Sequence, residues 1–584
     1  MKGKLLKSTV IMSLLTITAS LFAGCTPTTP PTTTAAGGSQ ASTTAAAPAT
    51  TGGAAGEIKA PTGQVVRYNL GADPKTLDPA LNTAVDGGTV LTNLFEGLMR
   101  LDDKELPVPG VAASYEMNAD GTVYTFKLRD SKWSDGKPVV AEDFKYAWLR
   151  ALDPNTKPTA AEYAYQLYYI KNGEAFNKGE AKAEDVGIKV IDEKTLEVTL
   201  NAPTAYFLSL MAFPTYFPVR KDMVEKNPDK WATDKATFVS NGPFKFESWA
   251  PASKIQLVKN PEYYGAANVK LNGIDMSVVD DGQTFLAVFK NGELDMIEAP
   301  PPQDIPALLA DKTAEILPYL GTYFYVINMR PELEAKNPEV YKALSKAEVR
   351  KALYLAIDKK AIVENVAMGG QMPAWSYVPM GIKDDKGADF AAAKKYYDKD
   401  SGDVAEAKKL LEAAGYPNGQ GFPKLTIKYN NSTGHQNIAV AIQAMWAQNL
   451  GIQVDLANEE WAVFQTSRIN GDYEIARHGW IADYNDPMTF LDMWLAGTGE
   501  GVWGNNDSHY NNPEYDKLIN AAKVEIDQAK RTQMLHDAEA ILMNDLPVFP
   551  IYFYTNVVCY RPYVKDVRKS PLGFVHFEKA YIQE

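Results

Sequence analysis

Two cysteines, Cys25 and Cys559, and five histidines between His435 and His576 are the only soft donors in a chain of 584 residues. That supply is too thin for a disulfide scaffold, a zinc module or an iron–sulfur protein. The spacings that build a nucleophile or a metal loop are also missing. There is no Gly-x-Ser-x-Gly, His-Glu-x-x-His, Walker A loop, Cys-x-x-Cys or EF-hand loop. Gly497-Thr-Gly-Glu-Gly501 is glycine-rich but lacks the strand-to-helix setting of a nucleotide loop. Cys559 follows two apolar residues, Val557 and Val558, and reads as a buried structural thiol; Asp384-Asp385 reads as solvated turn charge. The chain is therefore expected not to be an enzyme and to hold no cofactor and no metal, with a secreted hydrolase as the enzyme alternative. The net charge is −13, and removing the first 24 residues takes away three lysines and no acid, leaving −16. So acidic a body is repelled by phosphate backbones, which excludes a nucleic-acid partner.

The remaining thiol has a setting of its own. Lys2, Lys4 and Lys7 precede an uncharged run from Ser8 to Phe22, followed by Ala23-Gly24-Cys25. The run is too short to cross a hydrocarbon core but suits the apolar region of a signal peptide. Leu21-Phe22-Ala23-Gly24-Cys25 resembles the lipobox of bacterial lipoproteins, whose cysteine takes a diacylglyceryl group; the plainer alternative is a secretory signal that happens to end in cysteine. Residues 26–56 carry no charge and consist almost wholly of Thr, Pro, Ala, Gly and Ser. Such a segment buries no apolar surface and is expected to be a tether with a reach of roughly 30 Å. Residues 1–24 are thus expected to be a signal peptide and 25–62 a lipidated cysteine with its tether. The globular body would then be held at the outer face of a bacterial membrane, periplasm-facing if the cell has an outer membrane.

Beyond Val65 no apolar run approaches the length of a spanning helix. Tyr124, Phe126 and Leu128 alternate, as do Leu196, Val198 and Leu200, and both stretches read as strands. Leu425, Ile427 and Tyr429 alternate ahead of a helical stretch around Ile438–Leu450 that Gly451 ends; Ile452, Val454 and Leu456 then alternate again. This run reads as a right-handed parallel βαβ unit. Asp403 with Glu406 looks like a helix N-terminal pair, with Gly415 past the C-terminus of the same helix. Trp133-Ser-Asp-Gly-Lys-Pro138 reads as a turn opening a helix whose Phe144, Trp148 and Leu149 face a core. Phe95 and Leu98 suggest core at helical spacing. The class is α/β with mixed sheets.

From about Val65 to Tyr581 the body resembles the extracellular solute-binding proteins of peptide-importing ABC transporters, above all their oligopeptide-binding branch. The resemblance rests on Leu77-Asp78-Pro79, Asn93-Leu-Phe-Glu-Gly-Leu-Met99, Lys132-Trp-Ser-Asp-Gly-Lys-Pro138, Asn241-Gly-Pro-Phe244 and Val349-Arg-Lys-Ala-Leu353. It continues through Ala407-Lys-Lys-Leu-Leu-Glu-Ala-Ala-Gly-Tyr416 and Gly479-Trp-Ile-Ala-Asp-Tyr-Asn-Asp-Pro487. It implies a two-lobed clamp like the periplasmic binding proteins. The first lobe is discontinuous (63–95, 220–321 and 556–584), with an extra inserted subdomain at 96–219; the second spans 322–555. Hinges fall near Tyr319–Thr322 and Tyr554–Val557. The implied function is capture of oligopeptides in the cleft and delivery to a membrane permease, by a monomer. An oligosaccharide or nickel-chelate receptor is the alternative within the same fold.

An oligopeptide offers an ammonium, a carboxylate and a regular backbone, so a broad binder pairs its ends with opposite charges and hydrogen-bonds its main chain. By the resemblance, Asp483 meets the ammonium, while Arg477, Arg468 and His435 match residues associated with the carboxyl end. Trp461 and Trp480 match cleft-wall tryptophans, Val85, Gly479 and Ile481 match main-chain contacts, and Tyr554 stands on the wall at the second hinge. Four have a plainer alternative: a solvated loop aspartate for Asp483, a surface salt bridge for Arg468, a loop histidine for His435 and core packing for Trp461. In one place the chain departs from the family. Members that favour tripeptides carry a lysine in the segment matched by Glu364-Asn-Val-Ala-Met-Gly369, which has none; a preference for the shortest peptides is therefore not expected.

Overall fold

Alternation decides the strands. A computed structural model describes residues 60, 63–497 and 503–583, so Cys25, the tether and most of Gly497–Gly501 lie outside the described residues. The elements that build the cleft begin with β1 (Val65–Asn69), α1 (Val85–Leu94), β2 (Ala112–Met117), β3 (Val123–Leu128), α2 (Ala141–Leu152), β4 (Ile188–Asp192) and β5 (Thr195–Thr199). They continue with β6 (Phe244–Ala250), β7 (Lys254–Lys259), β8 (Gly273–Ser277), β9 (Met296–Glu298) and β10 (Ala314–Ile327). Last come α3 (Val404–Ala413), β11 (Leu425–Asn430), α4 (Thr433–Leu450), β12 (Val454–Glu459), α5 (Trp461–Ile469), β13 (Ile475–Ile481) and β14 (Val548–Tyr560).

Tyr124, Phe126 and Leu128 are buried on one side of β3, and β2, β3, β5 and β4 form a separate antiparallel four-stranded sheet in that order. The turn at Gly136 (φ 85°) leads into α2. There Asp143 accepts from the Val140 N–H and the Trp133 indole, both at 3.0 Å, and Trp148 donates to the Tyr216 carbonyl. Asp403 accepts from the Glu406 N–H at the start of α3, and Gly415 follows at φ 96°.

The main sheet runs β12-β11-β13-β10-β14-β9-β1-β8-β7-β6. β11 and β12 are parallel, Leu425 facing Val454 and Ile427 facing Leu456, with α4 between them and Gly451 (φ 70°) closing the helix. Parallel β1–β8 pairing and antiparallel β8–β7 and β10–β13 pairing make the sheet mixed. The two longest strands, β10 and β14, run antiparallel through its middle, from Ala314 opposite Cys559 to Val326 opposite Val548. Their ladder slips between Pro318 and Thr322, and pairing resumes beyond it.

Two local expectations need correcting. Phe95 and Leu98 are buried, but not on a helix: α1 stops at Leu94 and Phe95 is extended (φ −123°). The Asn241 side chain fastens that turn by accepting from the Glu96 N–H and donating to the Glu96 carbonyl. His435 is not in a loop. Ser432 caps α4, which starts at Thr433, ahead of the apolar periodicity, so His435 sits in the first helical turn.

Candidate functional site: a charged strand face between two aromatic walls

β13 supplies the axis of the site. Ala476, His478 and Trp480 are buried on one face, whereas Arg477, Gly479 and Ile481 are half-buried on the other. The chain leaves the strand at Ala482 and places Asp483 two residues past Ile481. Arg477, Gly479 and Ile481 therefore share one period-2 row, and Asp483 follows just past its end.

Asp483 is only 8% exposed. Its Oδ2 accepts from Gln166 Nε2 at 2.6 Å and from the Thr489 hydroxyl at 3.4 Å, and its own N–H donates to Thr489 Oγ1. No cation lies within salt-bridge distance of it among the described residues. Burial pushes its carboxyl well above the usual range, and nearby Asp492 adds to the shift. Asp492 itself has Lys523 at 3.7 Å and the Tyr169 hydroxyl at 3.3 Å. Asp483 also lines a cavity of 140 Å³ together with Asn93, Phe95, Phe213 and Phe574. Beside it, Trp480 stacks on Tyr163 with 6.1 Å between ring centres, and its indole N–H finds no partner.

At the other end of the row, Arg477 also lacks an opposite charge among the described residues. Its Nη2 donates to the Tyr554 hydroxyl at 2.9 Å, its Nη1 reaches Asn430 at 3.4 Å, and its buried Nε has no partner. The guanidinium lies 5.0 Å over the Tyr323 ring. Tyr323 stacks on Tyr552 and meets Tyr554 edge-on, giving an aromatic floor from β10 and β14. His435 approaches the Tyr323 hydroxyl at 3.4 Å; burial, and then the Arg477 charge, hold its imidazole well below its ordinary pKa, so it is neutral. Gly479 is required here: a Cβ would meet the Tyr554 hydroxyl at 2.4 Å.

The other expected residues are more scattered. Arg468 faces Asp507 at 3.3 Å, and His478, from the buried face of β13, shares that carboxylate at 3.5 Å. Arg468 is thus paired already, in a buried rather than a surface bridge. Trp461 opens α5, while Asp86 in the first turn of α1 keeps Oδ2 buried without a partner; burial lifts that carboxyl to about 7. Val85 starts α1 and is half-buried beside Gly573. Gln166, Asp86, Tyr163 and Tyr323 were not singled out from sequence. The sequence holds 31 tyrosines, and aromatic residues alone do not separate wall from core.

Residues 107–501 match the family model described as bacterial extracellular solute-binding proteins, family 5. The oligopeptide-binding protein OppA of Bacillus subtilis is 41% identical over 529 residues, which is 89% of this chain and 92% of that protein. The chain belongs to this solute-binding family. Its members are extracellular solute receptors, and the two-lobed fold follows with them. The crystal structure of Haemophilus influenzae OppA in complex with RPPGFSPFR is similar at a TM-score of 0.81 and 31% identity, covering 90% of this chain and all (100%) of that one. The unliganded open form of MppA, a periplasmic murein tripeptide-binding protein, has comparable identity (32%) and coverage (90% and 98%) but a TM-score of 0.59. With sequence similarity so nearly equal, the difference lies in shape. This family member has the overall arrangement of the peptide complex rather than that of the open form.

Proposed function

We propose that the protein is an oligopeptide receptor that closes two lobes on a peptide and delivers it to a membrane ABC permease. One observation carries the reading: a half-buried guanidinium without an anion sits on the strand and a buried carboxylate without a cation sits just past its end. Five residues lie between them, a span of at most about 20 Å at roughly 3.3 Å per extended residue. An extended peptide zwitterion supplies both missing charges. Asp483 takes the ammonium and Arg477 the carboxylate, with neutral His435 as a hydrogen-bonding neighbour; Arg468 contributes only by sharing its guanidinium with Asp507. Gly479, Ile481 and Val85 present main chain to the ligand, and Trp461, Trp480 and Tyr554 form the walls. A sugar or a metal chelate leaves this pair of opposite charges unexplained.

The slipped β10–β14 ladder supports hinges near Tyr319–Thr322 and Tyr554–Val557, dividing the chain into lobe I (63–95, 220–321, 556–584), its insert (96–219) and lobe II (322–555). Cys25 anchors the monomeric receptor by lipid to the outer face of the membrane. Native mass spectrometry of the purified protein is expected to find one copurified peptide per chain, and added peptide should saturate it stoichiometrically without being cleaved. A bound sugar, or turnover of the peptide, would overturn the reading. Cys25→Ala should release a folded receptor from the membrane fraction.

A further inference from the structure

Away from the strand row, one set of contacts joins the inserted subdomain to lobe II without facing the cleft. Tyr206, at the head of the short helix Phe207–Leu210, stacks on Tyr484 with 4.4 Å between ring centres and 9° between ring planes. Both rings are buried, and Tyr484 pairs with no other ring among the described residues. The Arg531 guanidinium, from the helix Gln528–Asp545, lies 5.4 Å from the centre of the Tyr206 ring. Asp486 accepts two hydrogen bonds from it, at 2.9 and 2.7 Å. Tyr169, like Tyr206 on the insert, meets Tyr206 edge-on and donates its hydroxyl to Asp492 at 3.3 Å. Tyr206, Tyr484, Asp486 and Arg531 line neither the 140 Å³ cavity beside Asp483 nor a larger one of 1110 Å³ bounded by Glu162, Tyr169 and Asp492.

The set divides by lobe. Tyr169 and Tyr206 lie within 96–219, whereas Tyr484, Asp486, Asp492 and Arg531 lie within 322–555. The Arg531–Asp486 pair belongs wholly to the second lobe, so its charges are matched with the cleft open or shut, and closing strands no ion. What closing adds is the Tyr206 ring, which gives Tyr484 a stacking partner and the guanidinium a π face. A contact made only in the closed form shifts the open–closed equilibrium by its whole free energy. Where the ligand does not touch that contact, the shift is the same for every ligand, because apparent affinity scales with the fraction of receptor in the competent form. We infer that Tyr206, Tyr484 and Arg531 form a closure latch, which sets the affinity for all peptides together and leaves the choice among them to the cleft. This rests on the reading of the chain as two lobes that close on a peptide. A receptor that makes few side-chain contacts with its cargo thereby gains tight closure from its own residues.

Calorimetric titration of the full chain tests this, using the wild type, Tyr206→Leu, Tyr484→Leu and the double variant. The ligands are penta-alanine, its N-acetyl form and its C-terminal amide. Leucine keeps an apolar body and removes the stacked ring. Tyr206→Leu is expected to weaken all three ligands by one common factor, roughly three- to thirtyfold, the range for a stacked pair with a cation contact. The double variant should bind about as weakly as either single one, because each removes the same contact. Arg531→Lys keeps a charge for Asp486 but loses the planar face, and should weaken all three ligands by a smaller common factor. A single urea transition in each variant shows that it is folded. Greater weakening of penta-alanine than of its N-acetyl form by Tyr206→Leu would mean that the ring acts by holding Asp483, and would overturn the inference. Wild-type affinity in Tyr206→Leu, or fully additive losses in the double variant, overturns it while leaving peptide capture intact. A wild type whose radius of gyration in small-angle scattering stays unchanged on saturation with penta-alanine removes the two-lobe closure and this inference together.

Discussion

Asp483→Asn separates what the carboxylate does for the ligand from what it costs the fold. The substitution keeps the shape and one acceptor for Gln166, but turns an amide donor toward the ammonium. Losing one partner of a buried charge pair costs about 2–5 kcal/mol, or roughly 30- to several-thousand-fold in peptide affinity. The ligand-free protein should respond in the opposite sense. Burial raises the Asp483 carboxyl above its unfolded value, so its contribution to stability is full below the unfolded pKa, near pH 4, and is lost as pH rises through the folded one. The loss runs at about 1.4 kcal/mol per pH unit between those limits. The Asn variant lacks that slope, so its free form should be the more stable at neutral pH. Peptide binding should weaken as the medium is acidified below the free-state pKa, because the ammonium then has to displace a proton. The Tyr163 and Tyr165 hydroxyls, raised by burial, do not titrate between pH 4 and 8, and Asp492 loses a like-charged neighbour in the variant, so the difference between wild type and variant reports the Asp483–Asp492 pair. Urea titrations and calorimetry across pH 4–8, in buffers of different ionisation enthalpy, measure both slopes. Identical affinities and identical pH profiles in the two proteins would refute the reasoning.

Arg477→Met should weaken a peptide with a free carboxyl end roughly ten- to a hundredfold and leave its C-terminal amide nearly unaffected, as read by calorimetry of the four combinations. Gly479→Ala drives a methyl group into the Tyr554 hydroxyl, 2.4 Å from the new Cβ; it should cost about 1–3 kcal/mol in urea unfolding and also weaken peptide binding, because the displaced ring is the partner of Arg477. In a Cys25→Ala chain, Cys559 is buried and its thiol is pushed up to about 12, so maleimide should label it only after denaturant is added.

Local pattern made part of this fold legible and left part of it hidden. The β11–α4–β12 unit was readable because each strand alternates and Gly451 marks the turn between two periods. β3 and β5 were readable for the same reason. The start of α4 was not, because Ser432, Thr433 and Gly434 carry a cap rather than an apolar face. Phe95 and Leu98 have helical spacing, but the Asn241 side chain, far away in the chain, claims the backbone between them. The row from Arg477 to Asp483 could be located through the resemblance. What faces the row depends on contacts between distant elements, such as Gln166 on Asp483 and Tyr554 on Arg477, and no local periodicity encodes them. The pairing of Arg468 with Asp507 was hidden likewise, since each residue alone has an ordinary polar setting.

The position of β14 has a consequence for how the chain is made. It lies between β10 and β9 in the main sheet, yet it is the last long strand in the sequence. As the polypeptide grows, β9-β1-β8-β7-β6 can form on one side and β12-β11-β13-β10 on the other. Each group then keeps an unpaired edge until residues 548–560 have been synthesised. Exposed edges of that kind invite pairing with other chains. A product ending before Val548 would hold two half-sheets with nothing to join them, and should aggregate rather than persist as a smaller receptor. The complete chain gains its seam in a single late step that closes both edges at once. Its folding rate is therefore set by contacts hundreds of residues apart, and both half-sheets keep open edges until the last long strand is in place.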